Sequence, residues 1–256
     1  MIRIINAKTY EQMSRMAADF MAAQIILKPD TVLGLATGTT PIGAYQGLIS
    51  KCAEGTLDFS KVRTVNLDEY RGIAPTHNQS YRYFMNHQLF DHVNIDPANT
   101  HVPGGLAEDP AQECRRYDSL IRELGGIDLQ LLGIGRNGHI GFNEPGRAFI
   151  PETHVVDLTE DTIDANSRLF ASADEVPRQA MTMGVGAIMR ARRILLVANG
   201  ENKAAALYGA LFGPVTPENQ ASILQLHPDV TVIADAPAFS MISGEGGVST
   251  DEFYLA

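Results

Sequence analysis

No apolar run in the sequence approaches the roughly 20 residues that a membrane-spanning helix needs, so no membrane segment is expected. The opening stretch, MIRIINAKTYEQ, lacks the basic-then-apolar order of a secretory signal, and a cytoplasmic location is expected. Cysteine is scarce. Cys52 and Cys114 are the only two, and they have no paired spacing. Both fall in amphipathic stretches and read as reduced, half-buried thiols. Positive charge is in deficit: 20 Lys and Arg against 30 Asp and Glu leave a formal net charge of −10. That balance argues against nucleic acid as a partner, because phosphate backbones are held by Lys and Arg. It leaves room for a small anionic substrate, since a few cations and backbone N–H groups make a local positive pocket on an acidic protein. No internal repeat, low-complexity tract or Pro/Ser-rich linker divides the 256 residues. Residues 1–242 read as one catalytic α/β domain. The Gly- and Ser-rich 243–256 reads as a C-terminal tail that packs loosely, if at all.

What is present alternates. Met13, Met16, Ala17, Phe20, Met21 and Ile25 follow the three-and-four spacing of a helix. Strand-length apolar runs lie at 31–36, 62–67, 128–134, 193–198 and 229–234, and a first strand begins within a few residues of Met1. The runs do not alternate cleanly, which is how strands buried on both faces read. Helical segments fall between them, near 41–54, 79–90, 109–124, 184–191 and 201–212. Strands alternating with helices predict a mostly parallel sheet with helices on both faces. The pattern does not give the strand order.

Four polar loops follow directly on four of these strands: Thr37-Gly38-Thr39-Thr40, Asp68-Glu69-Tyr70, Gly135 to Glu144, and Asn199 to Lys203. Ligands of open parallel sheets bind at the carboxyl ends of the strands, so four distant clusters can share one site. TGTTP has small residues for close backbone approach and Pro41 for the first turn of a helix. Its N–H groups and hydroxyls suit an anion such as phosphate, although no Walker lysine follows the glycine. The plainer reading is a tight turn with a Thr cap. Asp68 and Glu69 are adjacent carboxylates whose repulsion and partial burial raise a carboxyl pKa toward that of a useful base, with solvated acids at a turn as the plainer reading. In GIGRNGHIGFNEPG, Gly133, Gly135 and Gly138 match a dinucleotide fingerprint, but Gly141, Pro145 and Gly146 do not allow the helix it must open. What remains is an irregular loop holding Asn137, His139 and Glu144. A carboxylate beside a His suits proton transfer at a substrate oxygen. No metal site is expected, because His139 and Glu144 do not share a helix face and the other histidines are scattered. Arg168 and Lys203 are candidate phosphate cations, each alone more often a solvated charge.

These strings together resemble the glucosamine-6-phosphate deaminase family. The resemblance runs to about residue 235 and rests on LGLATGTTP, TVNLDEY, LLGIGRNGHIGFNEP, ANSR, AMTMGVG (180–186) and LQLHPDVTV (224–232), of which GHIGFNEP is the most specific. It implies a modified Rossmann-like fold and an aldose–ketose isomerisation with loss of ammonia, in amino-sugar breakdown, grouped with the hydrolases and needing no cofactor. It also implies Asp68 as the base at C2 with Glu69 next in line, His139 as the group that opens the sugar ring, and Glu144 as its partner. Thr37, Gly38, Thr39, Thr40, Arg168 and Lys203 would grip the phosphate. Thr39 stands where many members have Gly, and Asn137 where some have Asp; an amide there still orients His139 or a substrate hydroxyl. Hexameric members carry a cation and a hydroxyl where this chain has Val156 and Asp157, so a non-allosteric protein, and a monomer, is expected. Two other readings are a lactonase acting on a related sugar phosphate and a sugar-phosphate sensor without turnover. The sensor lacks room for a DNA-binding helix pair before the first strand.

Overall fold

The computed structural model describes residues 2–158 and 176–242, together with the backbone of 252–255. Thr9 opens the first helix, α1 (Tyr10–Leu27), by accepting the Gln12 N–H. Met13, Ala17, Met21 and Ile25 form the helix's buried stripe, as the spacing predicts. The other described helices are α2 (Ile42–Ala53), α3 (Tyr81–Gln88), α4 (Pro110–Glu123), α5 (Val185–Met189) and α6 (Ala204–Phe212). None of the described helices is long and apolar enough to cross a membrane. Cys52 lies on α2 and Cys114 on α4, both as free thiols.

The expected strands are all present: β1 (Ile2–Ala7), β2 (Val32–Leu35), β3 (Arg63–Asn66), β6 (Leu129–Leu132), β9 (Arg193–Ala198) and β10 (Val230–Asp235). Every residue of β2, β6 and β10 is buried, which is why these runs show no polar alternation. With β5 (Thr100–His101) and β11 (Glu252–Leu255) they form one sheet among the described residues, in the order β11-β1-β10-β9-β6-β2-β3-β5. All neighbours run parallel except β11, which lies antiparallel on β1. α1 lies against β1, β9 and β10 and carries α2 on its flank. The sheet is that of a single-domain Rossmann-like α/β protein.

Two expectations need correction. Part of the supposed loose tail, 252–255, is a strand that covers the outer edge of β1, and capping an exposed edge is reason enough to order it. The Asp68-Glu69-Tyr70 segment is not a loop. It is β4 (Asp68–Tyr70), the first strand of a second, antiparallel sheet with β8 (Gln179–Thr182) and β7 (His154–Asp157), in the order β4-β8-β7. Three polar or aromatic residues carry no periodicity, so only the pairing with β8 defines the strand.

Strand order decides where a ligand can sit. From β2 the chain moves outward through β3 to β5. It then returns to the other side of β2 as β6 and moves outward again through β9 and β10. The switch point lies between β2 and β6, where the following connections diverge and leave a crevice. The loops after β2, β6 and β9 open at this one end.

Candidate active site

The loop after β2 leads through Thr37, Gly38, Thr39 and Thr40 to Pro41, which occupies the position just before α2. No side chain caps the start of α2. Tyr10 from α1 braces the loop instead: its hydroxyl donates to the Thr39 carbonyl at 3.2 Å and accepts the Gly43 N–H at 3.0 Å. Gly38 and Thr39 are exposed. The Thr40 hydroxyl donates to Asn199 Oδ1 at 2.6 Å, which ties the loop to the one after β9. That loop passes Gly200 and makes a single tight turn, Glu201–Lys203, before α6. Lys203 therefore stands at the same end of the sheet as TGTTP, as expected. Burial, and after it the Arg136 charge, hold its ammonium below the usual lysine range. Arg168 lies outside the described residues.

Asp68 and Glu69 point to different tasks because successive strand residues face opposite ways. Both are buried, at 6 % and 3 % exposure. Glu69 accepts the N–H groups of Tyr70 (2.8 Å), Tyr81 (2.9 Å) and Arg82 (2.9 Å). The last two open α3, whose next free N–H, on Tyr83, is taken by the Ser80 hydroxyl at 3.0 Å. Glu69 thus pins β4 to the first turn of α3 and is not available as an alternative base. Glu69→Ala is expected to cost roughly 2–4 kcal/mol by leaving buried N–H groups unpaired, a fall of about 5–10 °C in Tm. A loss of turnover with unchanged Tm would instead restore Glu69 as a candidate base.

Asp68 accepts no hydrogen bond from a described residue. Burial, and after it the Glu69 charge, push its carboxyl up to about 8. The wall beside it is aromatic: the Tyr81 ring lies 4.8 Å from Tyr70 and is stacked on Phe142 at 6.0 Å between centroids. The Tyr81 hydroxyl also meets the Thr37 side chain, linking this wall to the loop after β2.

The glycine-rich loop after β6 reaches Asp68 directly. A Cβ on Gly141 would stand 2.9 Å from Thr182 Oγ1 and 3.4 Å from Asp68 Oδ2. Gly141 also has a φ of +59°, so both its conformation and the close approach favour glycine. Thr182, paired with Asp68 across the two strands, accepts the Phe142 N–H at 3.0 Å. Asn143 donates to the carbonyls of Ile140 (2.8 Å) and Met183 (2.9 Å). The AMTMGVG string, which carried no role in the sequence, is therefore the clamp that seats this loop on β4.

Within the loop, His139 Nδ1 lies 3.3 Å from Glu144 Oε2. Asn137 Nδ2 donates to the same oxygen at 2.7 Å, and Asn137 Oδ1 accepts the His139 N–H at 3.2 Å. The ring lies flat on Gly135, where a Cβ would fall within 2.4–2.5 Å of three ring atoms. The trio expected from the sequence is therefore assembled. Its amide bonds both the Glu144 carboxylate and the histidine backbone. The structure also adds residues that the sequence did not single out. Arg136, Gly141 and Thr182 lie within the family strings but carry no role at the site in the sequence, and Tyr81 lies in none of them; folding brings Tyr81 and Thr182 to the loop.

The model of the glucosamine-6-phosphate isomerases and 6-phosphogluconolactonases matches residues 6–231. The chain belongs to this family. It is similar to glucosamine-6-phosphate deaminase of Lachnoclostridium phytofermentans, 59% identical over 91% of this chain and 98% of the relative. It is likewise similar to the enzyme of that name from Thermoanaerobacter pseudethanolicus, 54% identical over 95% of this chain and 96% of the relative. The solved structure of a monomeric glucosamine-6-phosphate deaminase superposes with a TM-score of 0.91 at 48% identity, covering 93% of this chain and 99% of that one. A 6-phosphogluconolactonase from Thermotoga maritima superposes with a TM-score of 0.70 at 20% identity, over 92% and 99% of the two chains, which is a likeness of fold alone. The family comparison corrects one expectation. The relatives are named for deamination and the family for isomerisation, so the grouping with hydrolases does not stand.

Proposed function

We propose that this family member converts glucosamine 6-phosphate to fructose 6-phosphate and ammonia. The observation that carries the reading is the meeting of two units across Gly141: Asp68, a buried carboxylate to which no described residue donates a hydrogen bond, and the His139–Glu144–Asn137 trio. Both lie at the end of the sheet that carries the TGTTP loop and Lys203.

Thr37, Gly38, Thr39, Thr40, Lys203 and Arg168 hold the phosphate. With a proton on Nδ1 directed to Glu144, His139 keeps a lone pair on Nε2. That nitrogen takes the C1 hydroxyl proton and returns it to the ring oxygen, which frees the C1 aldehyde. Only then is the C2 proton acidic enough to remove. Asp68 takes it, the electron pair moves toward C1, and the proton gained by the C1 oxygen balances one lost by the ammonium. The resulting enolamine receives the Asp68 proton at C1. Water then adds to the C2 imine and ammonia leaves. The substrate's own carbonyl is the electron sink, so the route draws on no metal or organic cofactor. We further propose that the protein acts as a monomer without allosteric activation, because Val156 stands where a cation would be needed, and Asp157, which accepts from Gln179 at 2.7 Å, presents a phosphate-repelling carboxylate where a hydroxyl would be.

The test is ammonia release from glucosamine 6-phosphate by the purified protein, with EDTA present and fructose 6-phosphate followed in parallel. Both products in equal amounts are expected. Stabilisation by the ligand without ammonia would give the sensor reading, and acid release from 6-phosphogluconolactone the lactonase reading.

A further inference from the structure

The turn Gly135-Arg136-Asn137-Gly138 is closed by the Gly138 N–H donating to the Gly135 carbonyl at 3.1 Å. Asn137 is committed inward, to Glu144 and the His139 backbone. Arg136, at the same tip, is exposed. The tip is fixed against the start of α6 by a short relay. The Gly138 carbonyl accepts the Ala221 N–H at 2.9 Å, and Asn219 donates to the Ala206 carbonyl at 3.1 Å. Ala206 lies three residues beyond Lys203, so the relay fixes the turn that carries Arg136 against the helix that Lys203 opens. The Arg136 charge reaches Lys203 strongly enough to act on its protonation. Among the described residues neither cation forms an ion pair with a carboxylate. Two like charges held together without a counter-charge repel each other, and an anion between them removes that cost. The Thr40–Asn199 bond places the TGTTP loop on the other side of Lys203.

We propose that Arg136 is a further anchor for the substrate phosphate, acting with Lys203 from the loop that also carries His139. This rests on the sugar-phosphate reading of the site. One loop would then bind the phosphate at one end of the sugar and move the proton at the other.

The experiment compares wild type with Arg136→Gln and Arg136→Lys, following ammonia from glucosamine 6-phosphate and inhibition by inorganic phosphate. For Arg136→Gln, KM is expected to rise about tenfold, the loss of one charge-assisted contact. The phosphate inhibition constant should rise by a similar factor, with kcat reduced less than about twofold and Tm unchanged. Arg136→Lys should recover part of both binding losses, since it keeps the charge but not the fork. Unchanged KM and unchanged phosphate inhibition in Arg136→Gln overturn the proposal. So does a joint fall of Tm and kcat, which would mark a structural role. If wild type itself releases no ammonia, the deaminase reading fails instead, and phosphate-induced stabilisation of wild type against Arg136→Gln still decides whether Arg136 binds the anion.

Discussion

Replacing Asp68 by Asn is expected to lower kcat roughly 10³-fold, within the range that a positioned general base contributes, while KM changes little. The same substitution should make the protein more stable. Asp68 sits in the fold with its carboxyl pushed up to about 8, against about 4 in the unfolded chain. The folded state therefore holds this proton more tightly. Its contribution is fully present below pH 4 and is lost progressively as pH rises to about 8. Asn has the shape of the neutral acid and no proton to lose. The stability advantage of Asp68→Asn should be greatest near pH 8, on the order of a few kcal/mol, and should shrink toward pH 5. Thermal denaturation of both proteins across that range measures it. A pH-independent difference would mean that Asp68 is ionised in the fold at neutral pH.

The raised carboxyl also shapes the kinetics. The acidic limb of kcat/KM reports the free enzyme and should fall near pH 8. In the proposed reaction the substrate ammonium lies on the carbon whose proton Asp68 would remove. A cation at that distance favours the ionised carboxylate, so the limb in kcat should sit at lower pH than the limb in kcat/KM. Coincident limbs would argue against a charged amine beside Asp68.

Replacing His139 by Gln should lower kcat on the cyclic substrate by about 10²- to 10³-fold, the scale of acid–base assistance by one side chain. Gln fills similar space and can hydrogen-bond Glu144, so the loop should stay seated on β4, and the Tm should show it. The diagnostic is an open-chain substrate analogue, which needs no ring opening. On that compound His139→Gln should cost little, whereas Asp68→Asn should cost as much as before. An equal loss on both substrates would remove the ring-opening role from His139 and assign it to the enolisation.

Much of this protein was legible before folding. The uninterrupted apolar runs gave five core strands to within a residue or two, because a strand buried on both faces needs no alternation. Asn137, His139 and Glu144 were legible as a unit because they lie within eight residues of one irregular loop, where the chain itself keeps them close. TGTTP and Lys203 were legible because each ends a strand and begins a helix.

The remainder was settled by contacts between segments far apart in sequence. Asp68 and Glu69 are identical in kind to a sequence reader, two adjacent acids. Their separation into a carboxylate that no described residue bonds and a structural clamp depends on α3, whose first N–H groups lie 12 and 13 residues further on and claim Glu69. β4 became a strand only because Thr182 and its neighbours pair with it from more than 100 residues away. The place of the site depends on β6 returning to the inner side of β2, and no local pattern records strand order. The sequence alone determined the chemical groups and the strand ends that carry them, because those follow from residue type and local periodicity. Only the tertiary structure decided which groups face one another, which acid is buried without a donor among the described residues, and which loop packs against the helix that Lys203 opens, because burial and proximity are properties of packing.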